Sequence, residues 1–516
     1  MMIKNKKFRI IISVILSLIL LYFSVCIALY FFEPVSYDSA NLNDAQYAFD
    51  LYNKFAKDKN DKFYIKQISQ SDIKSAEDDF RLKYVDDTIL VIMDESVSYN
   101  QAESFFSEHN AVICGYIEVL DMYQIEIDVA VYDELADFCN LLKKNNMVKS
   151  AIIDIFEETP SDNESSTESD QFIDYDLYNF YYYSMLGIDK LSIIVDFNEI
   201  ISDITYGIMD VPVYYKNSSL NVVNRSDYPE SVFDSPSFQA VASHGTHVAG
   251  IIGAKQTDKN SGVVPGAGIY SENALNCSVS YWVAAITNMI INEDIKAVNI
   301  SMGYNSYIPI SASLGDAGAI EYVESSNAFF EEVLTKILEN GSEFLICISA
   351  GNESGKSLYK VDSPYFGYGE KAILGKIDIF GIFDSSHEYC DSAYSLYFSS
   401  IENPEIKDRI MVVTAHNSAS AVAKYSSLGD RVDISAPGVD IHSTGYFYEY
   451  EFMSGTSMAA PFVTATAGIL FELDDSLTGK DVKNAIIDSA TTSVEAKDFT
   501  YPQLDIYAAV KYILTR

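Results

Sequence analysis

The sequence predicts an α/β protein: a large domain with a mostly parallel central sheet, preceded by a small α+β unit and an N-terminal transmembrane helix. Three patterns carry this expectation. Beyond Tyr175, apolar runs of strand length alternate with helical segments, as a sheet buried on both faces requires. Before them, strand and helix patterns follow one another in the order βαββαβ within about 75 residues. At the start, Lys4, Lys6, Lys7 and Arg9 precede an uncharged apolar run of 23 residues from Ile10 to Phe32.

That run is long enough to span a bilayer as a helix. Its length, and the lack of a convincing small-x-small cleavage site before Glu33, favour an uncleaved signal anchor over a secretory signal peptide. Residues 1–9 would then be a cytoplasmic basic tail and 10–32 the anchor in the cell membrane, with all that follows extracytoplasmic. Cleavage of the segment would instead release a secreted protein. Residues 33–82 are polar and mixed in charge, with a helical pattern near Ala45 to Phe55, and read as a stalk or extension.

The α+β unit occupies 83–160. Thr88 to Met93 reads as a buried strand, and Ser98 with Gln101 forms a capping box for a helix carrying Ala102, Phe105, Phe106 and His109. Ala111 to Ile113 starts a second strand, and Tyr123 to Asp128 alternates like a half-buried third. Leu135, Phe138, Cys139 and Leu142 fall at helical spacing before a last strand from Val148 to Phe156. This order fits a ferredoxin-like unit. The linker, 161–175, contains an acidic, Ser-rich run from Ser161 to Asp170 without a large apolar residue. It cannot build a core, and exposed segments of this kind are where proteolysis concentrates. Residues 176–516 hold the large domain, with candidate strands at Tyr206–Met209, Ala297–Ile300, Phe344–Ile348 and Ile410–Val413.

Composition narrows the function. A formal net charge of −39 argues against nucleic-acid binding, which needs Lys and Arg in excess. Six scattered cysteines form no C-x-x-C pair, so neither a zinc site nor a redox motif is implied, and Cys347 reads as a buried small hydrophobe. The six histidines leave few candidates for imidazole chemistry; His387, His416 and His442 lie outside any motif and read as surface or loop residues.

Two segments carry chemistry. Ser243-His244-Gly245-Thr246-His247-Val248-Ala249-Gly250 places two histidines three apart, yet no Glu accompanies them, which disfavours a metal site of the HExxH kind. Its small residues suit a helix that approaches its neighbours closely, with His247 in a structural part. Gly455-Thr456-Ser457-Met458-Ala459-Ala460-Pro461 precedes an almost charge-free run from Phe462 to Phe471. That run reads as a buried central helix, with Pro461 in its first turn and Ser457 at its amino end. Backbone N–H groups and the helix dipole there favour a forming negative charge.

Both segments resemble the histidine and serine signatures of the subtilase family, and other pieces follow in family order. Tyr206-Gly207-Ile208-Met209-Asp210 resembles the strand ending in the catalytic aspartate. Val298-Asn299-Ile300-Ser301-Met302-Gly303 resembles the substrate-binding strand, and Ser349-Ala350-Gly351-Asn352 the oxyanion-hole segment. The resemblance covers about 176 to 516 and implies a subtilisin-like serine endopeptidase. It implies Asp210, His244 and Ser457 as a triad, Asn352 in the oxyanion hole, and Ser301, Met302, Gly303, Ser349, Ala350 and Gly351 as substrate-binding residues. It implies a peptide or protein substrate and no cofactor for the chemistry. A structural calcium ion is compatible with the family, but no loop has an assignable ligand pattern. The ferredoxin-like unit resembles, by pattern alone, the propeptide that many subtilases carry; a structural stalk domain is the alternative.

Three departures stand out. Val211-Pro212 follows Asp210 where Ser or Thr and then Gly are usual, Phe462 and Thr464 take the places of a His and a Gly after the serine motif, and a Tyr-rich stretch fills residues 357 to about 405. The first and third leave a second expectation open: a weak or inactive relative that binds peptides or a partner.

Overall fold

The computed structural model describes residues 54–55, 62–76, 82–129, 131–157, 182–195, 204–225, 236–256, 261–274, 276–303, 307–354, 356–359, 372–375, 390–394, 398–446 and 450–516. The apolar run 10–32, the linker 161–175 and His387 lie outside the described residues, as does most of 33–82.

The first unit runs β1 (Lys83–Met93), α1 (Tyr99–Glu108), β2 (Ala111–Ile117), β3 (Met122–Ile127), α2 (Tyr132–Leu142) and β4 (Val148–Glu157). The strands pair antiparallel in the order β2-β3-β1-β4. Helix α1 begins at the capping box, where Ser98 N–H donates to Gln101 Oε1 at 2.9 Å. Its Ala102, Phe105 and Phe106 are buried, and Phe106 packs against Tyr123 with ring centroids 5.5 Å apart. Strand β3 is buried along almost its whole length rather than alternating. Its second face is covered too, because two helices of the large domain pack on the far side of this sheet.

The large domain is built on a sheet whose pairings among the described residues are all parallel. Its main elements are β5 (Thr205–Asp210), α3 (Pro236–Gly253), β6 (Gly268–Asn273), α4 (Val279–Thr287), β7 (Ala297–Ile300), α5 (Ala317–Glu339), β8 (Leu345–Ser349), β9 (Ile410–His416) and β10 (Ile434–Pro437). A hairpin of β11 (Ile441–Thr444) and β12 (Tyr450–Met453) follows, then α6 (Thr456–Leu473). The sheet order is β10-β9-β8-β7-β5-β6, with Asn221–Val222 as its far edge. Helix α6 is long and apolar enough to cross a membrane but is packed inside the domain, buried from Thr456 to Phe471.

The two parts share an interface. Cys277–Ser278 adds an antiparallel strand to β4, and Lys336 of α5 bonds Asp121 at 2.8 Å. At its centre lies Asp154 of β4, fully buried. One carboxylate oxygen accepts from Ser280 N–H at 2.9 Å. The other accepts from Ser280 Oγ at 2.7 Å and Gln124 Nε2 at 2.9 Å. Ser280 lies in the first turn of α4, so a carboxylate of the first unit caps a helix of the second.

Burial pushes the Asp154 carboxyl up to about 6, although these hydrogen bonds, and the more distant Lys66, pull the other way. A raised carboxylate binds a proton more readily when folded. Its stabilising protonation is fully present below the ordinary 3.8 and is lost as pH rises through about 6. Asp154→Asn removes that charge. The stability difference between variant and wild type should therefore move in the variant's favour from about pH 4 to about pH 7, by on the order of 3 kcal/mol. Thermal unfolding of both proteins across that range checks it; a constant difference would refute it.

Candidate functional site

The site residues gather at the carboxyl ends of neighbouring parallel strands, the edge where α/β sheets place their ligands. Asp210 is the last residue of β5. Ser301, Met302 and Gly303 follow β7 directly, and Ala350, Gly351 and Asn352 follow β8, which ends at Ser349. Register fixes the neighbours: Ile300 pairs with Met209 on one side and Ile348 on the other. Burial of these strands thus delivers three polar loops to one edge.

Helix α3 brings the imidazole to the carboxylate. His244 Nδ1 lies 2.7 Å from Asp210 Oδ1, with the aspartate side chain fully buried and the histidine 18% exposed. The approach depends on Gly245, where a Cβ would sit 2.1 Å from the Val211 carbonyl oxygen. Gly250 admits the β11–β12 hairpin on the same helix, since its Cβ would meet Thr444 Oγ1 at 2.1 Å. The hairpin is tied there by Ser443 Oγ to the His247 carbonyl, Thr444 Oγ1 to the Thr246 carbonyl, and Ser243 Oγ to Glu451. None of these ties is visible as a local sequence pattern.

The residue after Asp210 serves the carboxylate without a hydroxyl. Val211 N–H donates to Asp210 Oδ1 at 2.7 Å, a bond any residue except proline can make. Because the proline stands one position later, at 212, this departure leaves a backbone donor on Asp210 Oδ1.

Ser457 is the second residue of α6 and nearly buried. Its Oγ donates to the Ser301 carbonyl at 3.2 Å, which links the β7 loop to the helix. Its N–H belongs to the first turn, whose amides point out of the helix end. Pro461 lies in the second turn rather than the first, because the helix starts at Thr456. A proline there removes the N–H that would reach the Ser457 carbonyl, and Ser301 Oγ donates to that carbonyl instead, at 2.9 Å.

Asn352 sits opposite the helix end. Its Oδ1 accepts from Thr456 N–H and from Thr456 Oγ1, both at 2.9 Å. A backbone N–H can only donate, so the atom facing it must be the amide oxygen, and the NH₂ group must face away from Thr456. Gly351 has φ +98°, a left-handed conformation that favours glycine, and its N–H donates to Thr456 Oγ1 at 3.2 Å. Ala350 is buried and its N–H donates to the Val413 carbonyl, while Met302 and Gly303 are half-buried. Thr456, which orients Asn352, was legible only as part of the serine motif.

The remaining described histidines of the large domain are structural. His247 is buried, its Nε2 2.9 Å from the Ile441 carbonyl oxygen, and burial lowers its pKa to about 3. His416 and His442 are buried in strands, not on the surface or in loops as expected. His416 ends β9 with Nδ1 2.8 Å from Ser435 Oγ, and His442 packs against the rings of Tyr450 and Phe452. Burial brings both down to about 4. Among the described residues, no three His, Cys, Asp or Glu side chains gather to hold a metal ion.

Comparisons with known proteins point to one family. Residues 127–503 match the model of the subtilase family. Subtilisin amylosacchariticus of Bacillus subtilis subsp. amylosacchariticus is 26% identical over 294 residues, covering 56% of this chain and 61% of its own length. The minor extracellular protease Epr of Bacillus subtilis is 27% identical over 256 residues, covering 48% of this chain and 30% of its own. This chain thus spans less than two thirds of these curated relatives. Among solved structures, the epidermin leader peptide processing serine protease of Staphylococcus aureus superposes with a TM-score of 0.50 at 16% identity. It covers 83% of this chain and 98% of its own.

Proposed function

This chain belongs to the subtilase family, and on that premise we propose that it is a serine endopeptidase hydrolysing peptide or protein substrates through Asp210, His244 and Ser457. The observation that carries the reading is the 2.7 Å contact between His244 Nδ1 and the buried Asp210 carboxylate, at the strand edge that also holds Ser457. In this reading Ser457 Oγ attacks the scissile carbonyl. His244 takes its proton and later delivers it to the leaving amine, and Asp210 holds the ring and stabilises the imidazolium. Asn352 Nδ2 and the Ser457 N–H receive the oxyanion, and water then releases the acyl group from Ser457. Ser301 to Gly303 pair with substrate backbone, and Ser349 to Gly351 flank the cleft. The chemistry is complete with these side chains, and a calcium ion, if bound, would be structural.

We read the βαββαβ unit as a ferredoxin-like propeptide that docks through Asp154 and is separated by cleavage near the 161–175 linker. Residues 10–32 would hold the precursor in the cell membrane with the peptidase extracytoplasmic; cleavage there would release a secreted form. One experiment tests both halves. A fluorophosphonate probe should label the wild type, whose mature amino terminus should map near the linker. Ser457→Ala should be neither labelled nor processed. A folded wild type that resists the probe would overturn the peptidase reading, and an active enzyme beginning at or before Glu33 would overturn obligatory processing.

A further inference from the structure

The turn that carries Ser457 is unusual for a buried helix, because Pro461 takes away the donor for its carbonyl. The group that replaces it is Ser301 Oγ, 2.9 Å away on the loop after β7. A serine hydroxyl rotates freely and could as well point elsewhere. Here its direction is set from behind. Asn299 Nδ2 donates to Ser301 Oγ at 2.9 Å, which leaves the single hydroxyl hydrogen for the Ser457 carbonyl. Asn299 is itself held, since Thr464 Oγ1 lies 3.0 Å from its Oδ1, nearer than the competing Ala460 carbonyl at 3.2 Å, and donates there.

Thr464 lies on α6, two turns beyond Ser457, so the chain of donors leaves the helix, crosses the end of β7 and returns to the helix. Asn299, Ser301, Ser457 and Thr464 are all buried, where a hydrogen bond left unmade is expensive. The contact is also reciprocal: Ser457 Oγ donates to the Ser301 carbonyl at 3.2 Å.

We propose that Ser301 is a positioning residue for Ser457, its side-chain hydroxyl standing in for the helical N–H that Pro461 removes and aimed by Asn299 and Thr464. This rests on the reading of Ser457 as the nucleophile, and it gives Ser301 a role beyond the backbone pairing with substrate that its motif implies. Without the hydroxyl, the Ser457 carbonyl would be buried without its donor, and the first turn of α6 would shift toward another. The position of Oγ would move with it, and reactivity would fall more than substrate affinity.

The test is a double-mutant cycle on the full chain, read as the rate of fluorophosphonate labelling and as kcat and KM on a peptide substrate. Ser301→Ala should slow labelling and kcat by roughly five- to tenfold with KM little changed, the scale of one lost hydrogen bond. Pro461→Ala restores an N–H at 461, and in that background Ser301→Ala should cost less than about twofold. Ser301→Thr should keep most of the wild-type rate. Thr464→Val, which removes only the last hydroxyl, should give a smaller loss in the same direction, and so reports on the chain even if Ser301→Ala folds poorly. Equal losses in both backgrounds, or a change in KM alone, would overturn the positioning role while leaving the triad standing. A wild type inert to the probe would instead remove the nucleophile reading itself.

Discussion

Asp210→Asn should lower kcat on the order of 10⁴-fold at neutral pH with little change in KM or thermal stability. The substitution is nearly isosteric at a fully buried position. Val211 N–H, 2.7 Å from Oδ1, forces the amide oxygen to stay where Oδ1 was. His244 Nδ1 therefore keeps an acceptor at the same place, and the ring keeps its orientation. What disappears is the negative charge. In the proposed mechanism the imidazole becomes a cation when Ser457 surrenders its proton, and a buried carboxylate 2.7 Å away stabilises that cation far more than a neutral amide can. Steady-state kinetics beside a melting curve separate the two effects. A loss smaller than tenfold in a folded variant would mean that Asp210 only holds the ring.

Much of this site is legible in the chain itself, and the reason is physical. Strands buried on both faces leave continuous apolar runs, so β5, β7, β8 and β9 announce themselves, and polar residues at their ends mark the functional edge. A helix apolar on every side must be internal, which places Ser457 at a buried helix start. The capping box at Ser98 is equally local. The misread features depend on partners far along the chain. Strand β9 continues past Val413 through Thr414 and His416 because Ser426 and Ser435 offer them hydroxyls inside the protein. A polar residue ending an apolar run looks like a loop until those partners are in place. Strand β3 alternates on paper, yet Gln124 at the middle of its polar face is buried and donates to Asp154 rather than to water. Pro461 is one turn deeper than the usual tolerance for proline suggests, and that is tolerated because Ser301, 156 positions before Ser457, supplies the missing donor to the Ser457 carbonyl.

Asn352→Asp should reduce kcat by at least about 10²–10³-fold while leaving the fold intact. The two carboxylate oxygens keep an acceptor for Thr456 N–H and Oγ1, which the wild-type Oδ1 serves at 2.9 Å each, so the amino end of α6 stays capped. On the other side, the NH₂ donor becomes an oxygen that carries charge at neutral pH. Where the amide would stabilise a forming oxyanion, the variant opposes it. Asn352→Leu makes the contrast. It removes the donor without adding charge, but it also strips the acceptor from Thr456, so it should lose stability as well as rate. If Asn352 works as an oxyanion donor, the Asp variant is the slower enzyme and the Leu variant the less stable protein. Were it only a helix cap, the Asp variant would retain near wild-type kcat, because a carboxylate caps a helix at least as well as an amide does.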